Sequence, residues 1–399
     1  MKDKKIIVGV TGGIAAYKAA ELVRILARAG AHIQVAMTAS ATKFVAPLTF
    51  ETVSGNRVVW DMFDRGTAPL DHIQLGQESD LIIVAPATAN FIAKMAHGIA
   101  DDFLSTMVLA ATARILVCPS MNSQMFVNPV VQENLKRIAG MGSVIMEPGE
   151  GELACQTEGP GRLPEPEDIA EQARMLLSQQ DLSGLKVLVT SGATIESIDP
   201  VRYITNRSTG KMGYALARAA RLRGASVTLV SGPTALEPPY GVQVREIKTA
   251  EEMKQAVFDN HTDSDIIIKA AAVSDYRPRN SAQQKIKKGE ESLTLDLVRN
   301  PDILEELGKA KTDSGYTLVG FAAETEELLK NATEKLRKKN LDIIVANDVS
   351  REDAGFESDT NLVKIIYRDG SIEELPLMTK DDVANHLLDR IKELREGGS

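Results

Sequence analysis

The stretch "VGVTGGIAAYKAAELVRILARAGAHIQVAMT", residues 8–38, decides the fold of the amino-terminal half of the chain. A β-branched run ends at Gly12 and Gly13, a helical pattern follows, and a second β-branched run begins after Gly30. The predicted helix, residues 14–29, carries an apolar stripe that would pack on a sheet: Ala15, Ala19, Leu22, Ile25, Leu26 and Ala29. This order is typical of a parallel sheet, and the amides at the glycine turn could hold a phosphate. The G-x-G-x-x-G pattern of a dinucleotide site is absent from it.

The same order of elements recurs in "GLKVLVTSGATIESIDPVRYITNRSTGKMGYALARAARLRGASVTLVSG", residues 184–232, with a long insertion between strand and helix. Further β-branched runs alternate with helical patterns in both halves, and the second half ends with a hairpin turned at Asp369 and Gly370. The polar stretch "SQQDLSG" lies between the halves. We therefore predict an α/β protein of two doubly wound domains, residues 1–180 and 184–399, each binding ligands at the carboxyl ends of its strands.

Composition limits the classes of function. A net charge of -9 argues against a nucleic-acid partner, which favours a basic surface. Neither a signal peptide nor a membrane span is apparent, and the only cysteines, Cys118 and Cys155, exclude a disulfide framework. We expect a protein of the reducing cytoplasm. The five histidines lack zinc spacing, so any metal should be Mg²⁺ held by carboxylates and phosphates.

Four features of the first half are candidates for a site. "APATAN", residues 85–90, and "PSMNSQMF", residues 119–126, follow two predicted strands and place polar side chains beside small residues, as a flat, polar-edged ring requires. Helix capping explains the same Asn and Thr residues equally well. His72 is either a surface histidine or a base. Cys155 lies in residues 148–166, which are too rich in Gly and Pro to predict regular structure; this segment is either a linker or a mobile lid that carries a proton-donating thiol.

These motifs carry a family resemblance. "PSMNSQM", "APATAN", His72 and the Cys155 segment resemble the flavin-containing cysteine decarboxylases. In the second half, "ITNRSTGKMG", "KAAAVSDYRP", "KIKK" and "VANDVS" resemble phosphopantothenate-cysteine ligase. In this order, the chain from Lys5 to about Leu388 resembles the bacterial bifunctional enzymes of coenzyme A biosynthesis. The resemblance implies a flavodoxin-like, FMN-binding decarboxylase domain followed by a Rossmann-like, CTP-binding ligase domain.

For the first domain, the resemblance implies FMN, whose single phosphate needs no dinucleotide pattern. Oxidation of the substrate thiol to a thioaldehyde would let the C=S group accept the electrons released with CO2, and reduction of the resulting enethiol would give phosphopantetheine. By resemblance, His72 is the base for thiol oxidation, Asn122 binds the substrate carboxylate with Met125 nearby, and Cys155 supplies the final proton. The implied FMN contacts are Gly12, Gly13, Thr38, Pro86, Ala87, Thr88, Asn90, Ser105 and Thr106.

For the second domain, the resemblance implies that phosphopantothenate attacks CTP, releases pyrophosphate and forms an acyl-cytidylate, which the amine of cysteine displaces. Lysines and Mg²⁺ suit the charge that develops on phosphate oxygens, although lysine clusters are also common on solvated faces. By resemblance, Lys285 contacts the triphosphate, Lys335 and Lys339 the nucleotide, Asp275 the ribose or Mg²⁺, and Asn206 the acyl-cytidylate. The other implied substrate contacts are Ser208, Thr209, Gly210, Lys269, Ala270, Ala271, Lys287, Lys288, Pro301, Asp302, Ile303, Leu304 and Phe321.

Two alternatives come from other classes of protein. Two doubly wound sheets also suit an NAD(P)-dependent dehydrogenase, against which the missing dinucleotide pattern argues. A non-catalytic flavin-binding regulator is the second alternative. The expected partners are small molecules, namely 4'-phosphopantothenate, cysteine and CTP, with neither nucleic acid nor membrane. The resemblance also implies a homo-oligomer, because trimeric decarboxylase contacts and dimeric ligase contacts in one chain close as a dodecamer.

Overall fold

The structure is a computed structural model that describes residues 1–63, 70–152, 158–287, 293–312, 315–324, 328–348 and 358–397. Contacts between Cα atoms divide the chain into two units, Met1–Ser178 and Gln179–Ser399. Each unit has its own sheet with buried apolar side chains on both faces. Covered faces of this kind are what a parallel sheet requires.

The first unit is built on a five-stranded parallel sheet. Its strands are β1 (Lys5–Val10), β2 (His32–Met37), β3 (Leu81–Ala87), β4 (Arg114–Pro119) and β5 (Val144–Ile145). The strands lie in the order β2-β1-β3-β4-β5, with every neighbouring pair parallel. This is the flavodoxin-like order, and it confirms the predicted class of the first domain. The order reverses between β1 and β3, so a ligand site is expected there.

Eight helices of the first unit lie among the described residues: α1 (Ala16–Arg28), α2 (Pro47–Ser54), α3 (Asp71–Glu78), α4 (Ala89–His97), α5 (Phe103–Leu109), α6 (Ser123–Phe126), α7 (Pro129–Gly140) and α8 (Pro166–Leu177). Helix α1 begins two residues later and ends one residue earlier than predicted. It buries Ala16, Ala19, Leu22, Val23 and Leu26. The predicted stripe was therefore correct at Ala19, Leu22 and Leu26, whereas Ala15, Ile25 and Ala29 lie at its half-buried edge.

The glycine-rich segment around Cys155 includes a β-hairpin, so the prediction that it lacks regular structure was wrong. Strand β6 (Gly149–Glu152) pairs antiparallel with β7 (Glu158–Arg162). Gly161 has a φ of 139°, and a Cβ atom there would lie 2.2 Å from the Met121 carbonyl oxygen. The Met121 amide donates to the Gly161 carbonyl at 3.0 Å. Glycine therefore permits close packing at this position.

The second unit is built on an eight-stranded sheet. Its strands are β8 (Lys186–Ser191), β11 (Ser226–Ser231), β12 (Gln243–Glu246), β13 (Ile266–Lys269), β16 (Thr317–Glu324), β17 (Ile343–Asp348), β19 (Val363–Tyr367) and β20 (Ile372–Glu374). The order is β12-β11-β8-β13-β16-β17-β19-β20, parallel as far as β17. Its six parallel strands have the Rossmann order, as predicted. Strands β19 and β20 form the predicted hairpin at Asp369 and Gly370.

Three short strand pairs extend from this sheet: β9 (Ile195–Ser197) with β10 (Tyr203–Thr205), β14 (Tyr276–Pro278) with β15 (Leu297–Arg299), and β18 (Thr360–Asn361) with β21 (Met378–Thr379). The helices are α9 (Lys211–Leu222), α10 (Ala250–Phe258), α11 (Ile303–Ala310), α12 (Leu328–Lys338) and α13 (Lys380–Gly397). The insertion recognised between the first strand and helix of this half is thus the β9–β10 hairpin. Over the described ranges of both units, no helix combines the length and apolar character needed to cross a membrane.

Candidate active sites

A cavity of about 950 Å³ opens at the carboxyl ends of β1 and β3, where the strand order of the first unit reverses. Its volume is in the range of small-molecule and cofactor sites. The structure brings seven of the predicted site residues together along its wall: Gly12, Gly13, Thr38, Thr88, Asn90, Asn122 and Met125. These residues come from turns that follow four different strands or from the helices after them, so only the folded sheet assembles them.

One end of the cavity is suited to an anion. Helix α1 begins at Ala16 with neither a side-chain cap nor an acidic residue in its first turn. Helix starts of this kind leave backbone amides for an external acceptor. Gly12 lies four residues before this start, and a Cβ atom there would lie 2.4 Å from the Ser40 Cβ. A larger residue at position 12 would therefore displace the turn that forms this end of the cavity.

Two predicted contacts, Pro86 and Ala87, lie in the buried end of β3 and do not line the cavity. The carbonyl groups of these two residues instead hold the backbone that surrounds the cavity. The Thr11 hydroxyl donates to the Pro86 carbonyl at 2.7 Å and accepts from the Thr88 amide at 3.0 Å. The Ser120 amide donates to the Ala87 carbonyl at 3.0 Å. These bonds fix the neighbouring strand ends from which the polar wall is built.

The predicted contacts at Ser105 and Thr106 lie on α5, outside the cavity lining. Ser105 is buried, and its amide donates to the Asp102 carboxylate at 2.8 Å while its hydroxyl accepts from the Asp102 amide at 3.1 Å. The Thr106 hydroxyl donates to the Asp102 carbonyl at 2.8 Å. Both hydroxyls thus serve the start of α5, and a role toward FMN stays a prediction.

Sequence reasoning missed a charged part of the cavity wall, formed by Lys94, Asp101 and Asp102. The Lys94 ammonium donates to Asp101 Oδ1 at 2.5 Å and to Asp102 Oδ2 at 2.8 Å. Burial alone would lower the pKa of Lys94, but the two carboxylates outweigh it and hold that pKa above its usual value. The available signal was a lysine in the last turn of a helix followed closely by two aspartates.

The two substrate residues predicted from the "PSMNSQM" motif both reach the cavity. Asn122 is the N-cap of α6, and its Oδ1 accepts from the Gln124 amide at 2.9 Å. This bond orients the side-chain amide. Met125, on the same short helix, is about half exposed and lines the cavity beside it.

The two predicted proton-transfer residues are placed differently. His72 is the second residue of α3, with its ring 6.4 Å from that of Phe103 in an edge-on arrangement, and it does not line the cavity. Cys155 lies outside the described residues. The strand that follows it, β7, contributes Gly161 and Arg162 to the wall. Cys118 lies buried in β4, where burial raises the pKa of its thiol far above the usual value, so this thiol is unsuited to proton transfer.

The second unit has a comparable helix start at its own switch point, beside β8. Helix α9 begins after Gly210, which has a φ of 83° and supplies no side-chain cap. The Ser191 hydroxyl donates to the Gly210 carbonyl at 2.8 Å, and a Cβ atom on Gly213 would lie 2.4 Å from the Ser191 Oγ. The predicted phosphate contacts Ser208, Thr209 and Gly210 therefore form the turn that enters α9, held close to the end of β8.

Asn206 lies near the carboxyl end of β13, the strand that pairs with β8. It follows β10 directly, and its Nδ2 donates to the Ala272 carbonyl at 3.2 Å. The Ala271 amide donates to the Thr190 hydroxyl at 3.2 Å, which connects residues 269–271 to β8. Ser274, a little further along, is buried, and its hydroxyl has no hydrogen-bond partner within the described part of the chain. An unsatisfied polar atom at this edge is consistent with a polar ligand.

A group of opposite charges lies beside this edge. The Lys339 ammonium is 2.7 Å from Asp302 Oδ2, and Asp302 also caps α11 by accepting from the Glu305 amide at 3.0 Å. Burial lowers the pKa of Lys269 to about 8, although the Asp302 carboxylate opposes this shift. The exposed Asp275 is joined to the base of α11 through its carbonyl, which accepts from the Asn300 amide at 2.8 Å.

The remaining predicted contacts are placed as follows. Ile303 and Leu304 are buried in the core, so their side chains support the site from behind, and Pro301 and Phe321 are half-buried. Lys339 lies just beyond α12, but its amide donates to the Lys335 carbonyl at 3.0 Å and keeps both lysines on one face. The irregular segment 282–287 carries Lys285 and Lys287, both exposed; Lys288 lies outside the described residues. Within the described ranges, no group of three or more His, Cys, Asp or Glu side chains could hold a metal ion.

Comparisons with known proteins agree with this division. The family described as Flavoprotein matches residues 1–178, and the family described as DNA/pantothenate metabolism flavoprotein C-terminal domain matches residues 182–394. The chain is 46% identical over 399 residues to the coenzyme A biosynthesis bifunctional protein CoaBC of Bacillus subtilis (strain 168), across 99% of this chain and 98% of that protein. It is also 46% identical over 397 residues to the protein of the same name from Escherichia coli (strain K12), across 98% of this chain and 97% of that one.

A solved structure also matches part of the chain. The crystal structure of the C-terminal domain of a CoaBC protein matches with 42% identity and a TM-score of 0.48, across 55% of this chain and 100% of that chain. The family matches cover both units, and the relative from Bacillus subtilis matches over nearly the whole of both chains. The chain therefore belongs to the family of coenzyme A biosynthesis bifunctional proteins CoaBC.

Proposed function

We propose that this chain joins cysteine to 4'-phosphopantothenate with CTP, and then decarboxylates the product to 4'-phosphopantetheine in coenzyme A biosynthesis. The ligase activity is assigned to residues 184–399 and the decarboxylase activity to residues 1–180, in the reducing cytoplasm. The observation that carries the proposal is the presence of one uncapped, glycine-framed helix start at the switch point of each unit. Family membership argues against both a dehydrogenase and a non-catalytic regulator.

The cavity of the first unit fits FMN, because it combines an anion-binding helix start with a wall of small and polar residues long enough for a ring. Bound FMN supplies reversible two-electron oxidation of the substrate thiol. The turn at Gly12 and Gly13 would hold its phosphate, and Thr88 and Asn90 would meet the edge of its ring. Asn122 would hold the substrate carboxylate, His72 would accept the thiol proton, and Cys155 would return the last proton.

The position of His72 outside the cavity lining suggests that this residue acts in the cavity of a neighbouring copy. Helix α3 presents apolar surface that suits such a contact, since Leu70 before it is 64% exposed and Ile73 on it is 36% exposed. The trimeric contacts implied for decarboxylase domains would bring α3 of one copy to the cavity of the next. With dimeric contacts between ligase domains, the assembly closes as a dodecamer.

Complementation between subunits tests this arrangement. Co-expressed His72→Ala and Asn122→Ala chains, each inactive alone, should regain decarboxylase activity, because some cavities would combine an intact Asn122 with an intact His72 of another copy. Random assembly from equal amounts should restore about a quarter of the wild-type sites. Activity per flavin in the purified hybrid is the measurement. Hybrids without activity, at an unchanged assembly size, would place His72 and Asn122 in the same subunit's site or outside catalysis.

The second unit provides positive charge where nucleotide phosphates would lie. Lys269 and Lys339 flank Asp302 at the edge beside Ala270 and Ala271. Lys285 would contact the triphosphate, and Asn206 would bind the acyl-cytidylate. Asp275 offers one exposed carboxylate, which suits Mg²⁺ that is held mainly by CTP phosphates and water.

The pKa of Lys269 predicts a pH dependence for CTP use. This amine has a pKa of about 8 in the folded chain, so it loses its charge as the pH rises through that value. If the ammonium attracts phosphate, kcat/KM for CTP should fall by about tenfold per pH unit well above pH 8, because this parameter reports the free enzyme. Asp302→Asn removes a carboxylate that raises the pKa, so the fall should begin at lower pH. Identical pH profiles for the two proteins would contradict this role of Lys269.

The overall function is tested with purified protein. A flavin absorption spectrum should be visible, and CTP, cysteine and 4'-phosphopantothenate together should yield 4'-phosphopantetheine, CMP, pyrophosphate and CO2. CTP should be preferred to ATP, an expectation that rests on the family resemblance. Comparable kcat/KM values for the two nucleotides would overturn that preference. Product formation without CTP or any other nucleotide would overturn the proposed activation step.

A further inference from the structure

A single buried carboxylate, Asp199, connects two separate segments of the second unit. It lies in the turn between β9 and β10, with its side chain fully buried. Asp199 Oδ1 accepts from the amides of Val201 and Arg202, each at 2.8 Å. Asp199 Oδ2 accepts from Arg202 Nε at 3.0 Å, Arg202 Nη2 at 2.5 Å and the Ile286 amide at 3.1 Å. Five donors thus converge on one side chain.

The bond to Ile286 is one of three that hold the segment carrying Lys285. Arg202 Nη2 also donates to the Ile286 carbonyl at 2.9 Å, and the Ala282 amide donates to the Ile198 carbonyl at 2.9 Å. Residues 282–287 form neither a helix nor a strand, and Lys285 itself is exposed. Lys285 therefore lies between two anchored positions, Ala282 and Ile286, in backbone that secondary structure does not fix.

The same turn also orients Asn206. Strands β9 and β10 pair from Ser197 opposite Tyr203 to Ile195 opposite Thr205, and Asn206 is the next residue. Strand β9 of the hairpin is also held by a side chain, because the buried Glu196 Oε1 accepts from the Ala250 amide at 2.9 Å. The Asp199 turn thus connects the Lys285 segment to the hairpin that delivers Asn206.

We infer that Asp199 is a positioning residue for ligation, which holds Lys285 in register with Asn206 through its bonds to Arg202 and the Ile286 amide. The inference rests on the proposed function and extends it to a residue that contacts no substrate. A lysine on irregular backbone samples many positions, and misplacement of about 1 Å at a charged group can lower a rate by about a hundredfold. Hydrogen bonds that hold the backbone beside Lys285 reduce this loss of rate.

Asp199→Asn is the sharpest test, because the two side chains have the same shape. An asparagine oxygen still accepts from the amides of Val201 and Arg202. Its NH2 group, however, would face two donors, Arg202 and the Ile286 amide, so the bonds to both are lost. Asp181→Asn is the matched control, since Asp181 accepts from Arg223 Nε at 2.9 Å and Nη2 at 2.7 Å at the other end of the same unit.

Two measurements are expected to respond. Hydrogen exchange of the amides in residues 282–287, followed by mass spectrometry, should become at least about tenfold faster in Asp199→Asn and stay at the wild-type rate in Asp181→Asn. Release of pyrophosphate from CTP in the presence of 4'-phosphopantothenate and the absence of cysteine should fall by about tenfold, while decarboxylation of supplied 4'-phosphopantothenoylcysteine by the same chain is unchanged. The exchange measurement reports anchoring even in a chain without ligase activity, so failure of the proposed function and failure of this inference are distinguishable.

A double-mutant cycle separates positioning from a general loss of stability. If Asp199 acts through Lys285, adding Asp199→Asn to Lys285→Ala should lower the rate of pyrophosphate release little further. The two losses of rate should therefore not add. Additive losses, or unchanged exchange in residues 282–287, would overturn the inference. Should Asp199→Asn lower the melting temperature more than Asp181→Asn, Ala282→Pro removes the Ala282 bond and leaves the carboxylate intact. It should accelerate exchange in residues 282–287 and slow pyrophosphate release. Faster exchange with pyrophosphate release at the wild-type rate would show that the anchoring of this segment does not limit ligation, and would overturn the inference.

Discussion

Lys285→Ala is expected to slow the release of pyrophosphate from CTP and 4'-phosphopantothenate by about a hundredfold or more, and to leave decarboxylation of 4'-phosphopantothenoylcysteine at the wild-type rate. In the proposed role, the lysine offers its charge to the triphosphate as negative charge moves onto the leaving oxygens, and loss of one such contact typically costs about a hundredfold to a thousandfold in rate. The residues that line the cavity proposed for decarboxylation all belong to the first unit. Two separate assays on one preparation measure the two rates. One contains CTP and 4'-phosphopantothenate, and the other contains purified 4'-phosphopantothenoylcysteine.

A comparison variant is Lys287→Ala, two residues further along the same exposed segment. The family resemblance also implies a substrate contact for Lys287, but this lysine lies beyond Ile286, whereas Lys285 lies between the bonded residues Ala282 and Ile286. We therefore expect Lys287→Ala to slow pyrophosphate release less than Lys285→Ala does. Equal losses in the two variants would indicate that the segment acts by its total charge and that Lys285 has no specific contact.

His72→Ala should produce the opposite result. Ligation should continue, so 4'-phosphopantothenoylcysteine accumulates, while CO2 release stops because the thiol proton has no acceptor. Product masses in a coupled reaction with all substrates would identify the accumulating compound. Loss of both activities in either variant, when the protein is soluble and correctly assembled, would contradict two separate sites.

The helices and strands were largely predictable from local patterns, because β-branched runs and helical stripes alternate along the whole chain. The runs beginning at Ile6, His32 and Leu81 became three neighbouring strands of the first sheet. Local pattern does not state which strands are neighbours, since pairing joins residues far apart, such as Ile6 and Leu81. The strand orders were expected only through the family resemblance, and the structure agrees with them.

The site was predicted best where chemistry lies in local motifs. The turn at Gly12 and the polar residues Thr88 and Asn122 follow strands directly, and they line one cavity. What was missed depends on how the folded chain turns and which side chains it brings together. The Lys94 ammonium contacts Asp101 and Asp102 because Gly98, which has a left-handed backbone conformation, turns the chain between them. Likewise, neither composition nor residue spacing shows that the buried Asp199 carboxylate accepts a hydrogen bond from the distant Ile286 amide.

The hairpin β6–β7 was missed for a related reason. Composition rich in glycine favours irregular structure, but here the glycines remove side chains where two segments touch. At Gly159 a Cβ atom would lie 2.9 Å from the Ser123 Oγ, and at Gly161 it would clash with the Met121 carbonyl. The hairpin therefore packs against the start of α6, which carries Asn122, and contributes Gly161 and Arg162 to the cavity wall.

This placement makes Cys155→Ser the most informative variant of the first unit, because Cys155 lies between these two strands in the sequence. If the thiol supplies the last proton, serine keeps the shape but is a far weaker acid than a thiol with a pKa of about 8.5. Thiol oxidation and loss of CO2, which precede that proton, should still occur. The variant should therefore release about one CO2 per active site and retain the enethiol product, as single-turnover analysis would resolve.

The measurement is an anaerobic single turnover that follows CO2, the mass of the bound product and the flavin absorbance. His72→Ala is the control, since it should release no CO2 and leave the flavin absorbance at its starting value. Cys118→Ser is a second control: burial raises the pKa of that thiol far above its usual range, so its replacement should leave turnover complete in any variant that folds. If Cys155→Ser forms 4'-phosphopantetheine at the wild-type rate, the thiol is a bystander in a glycine-rich linker, and the prediction of a proton-donating lid is wrong.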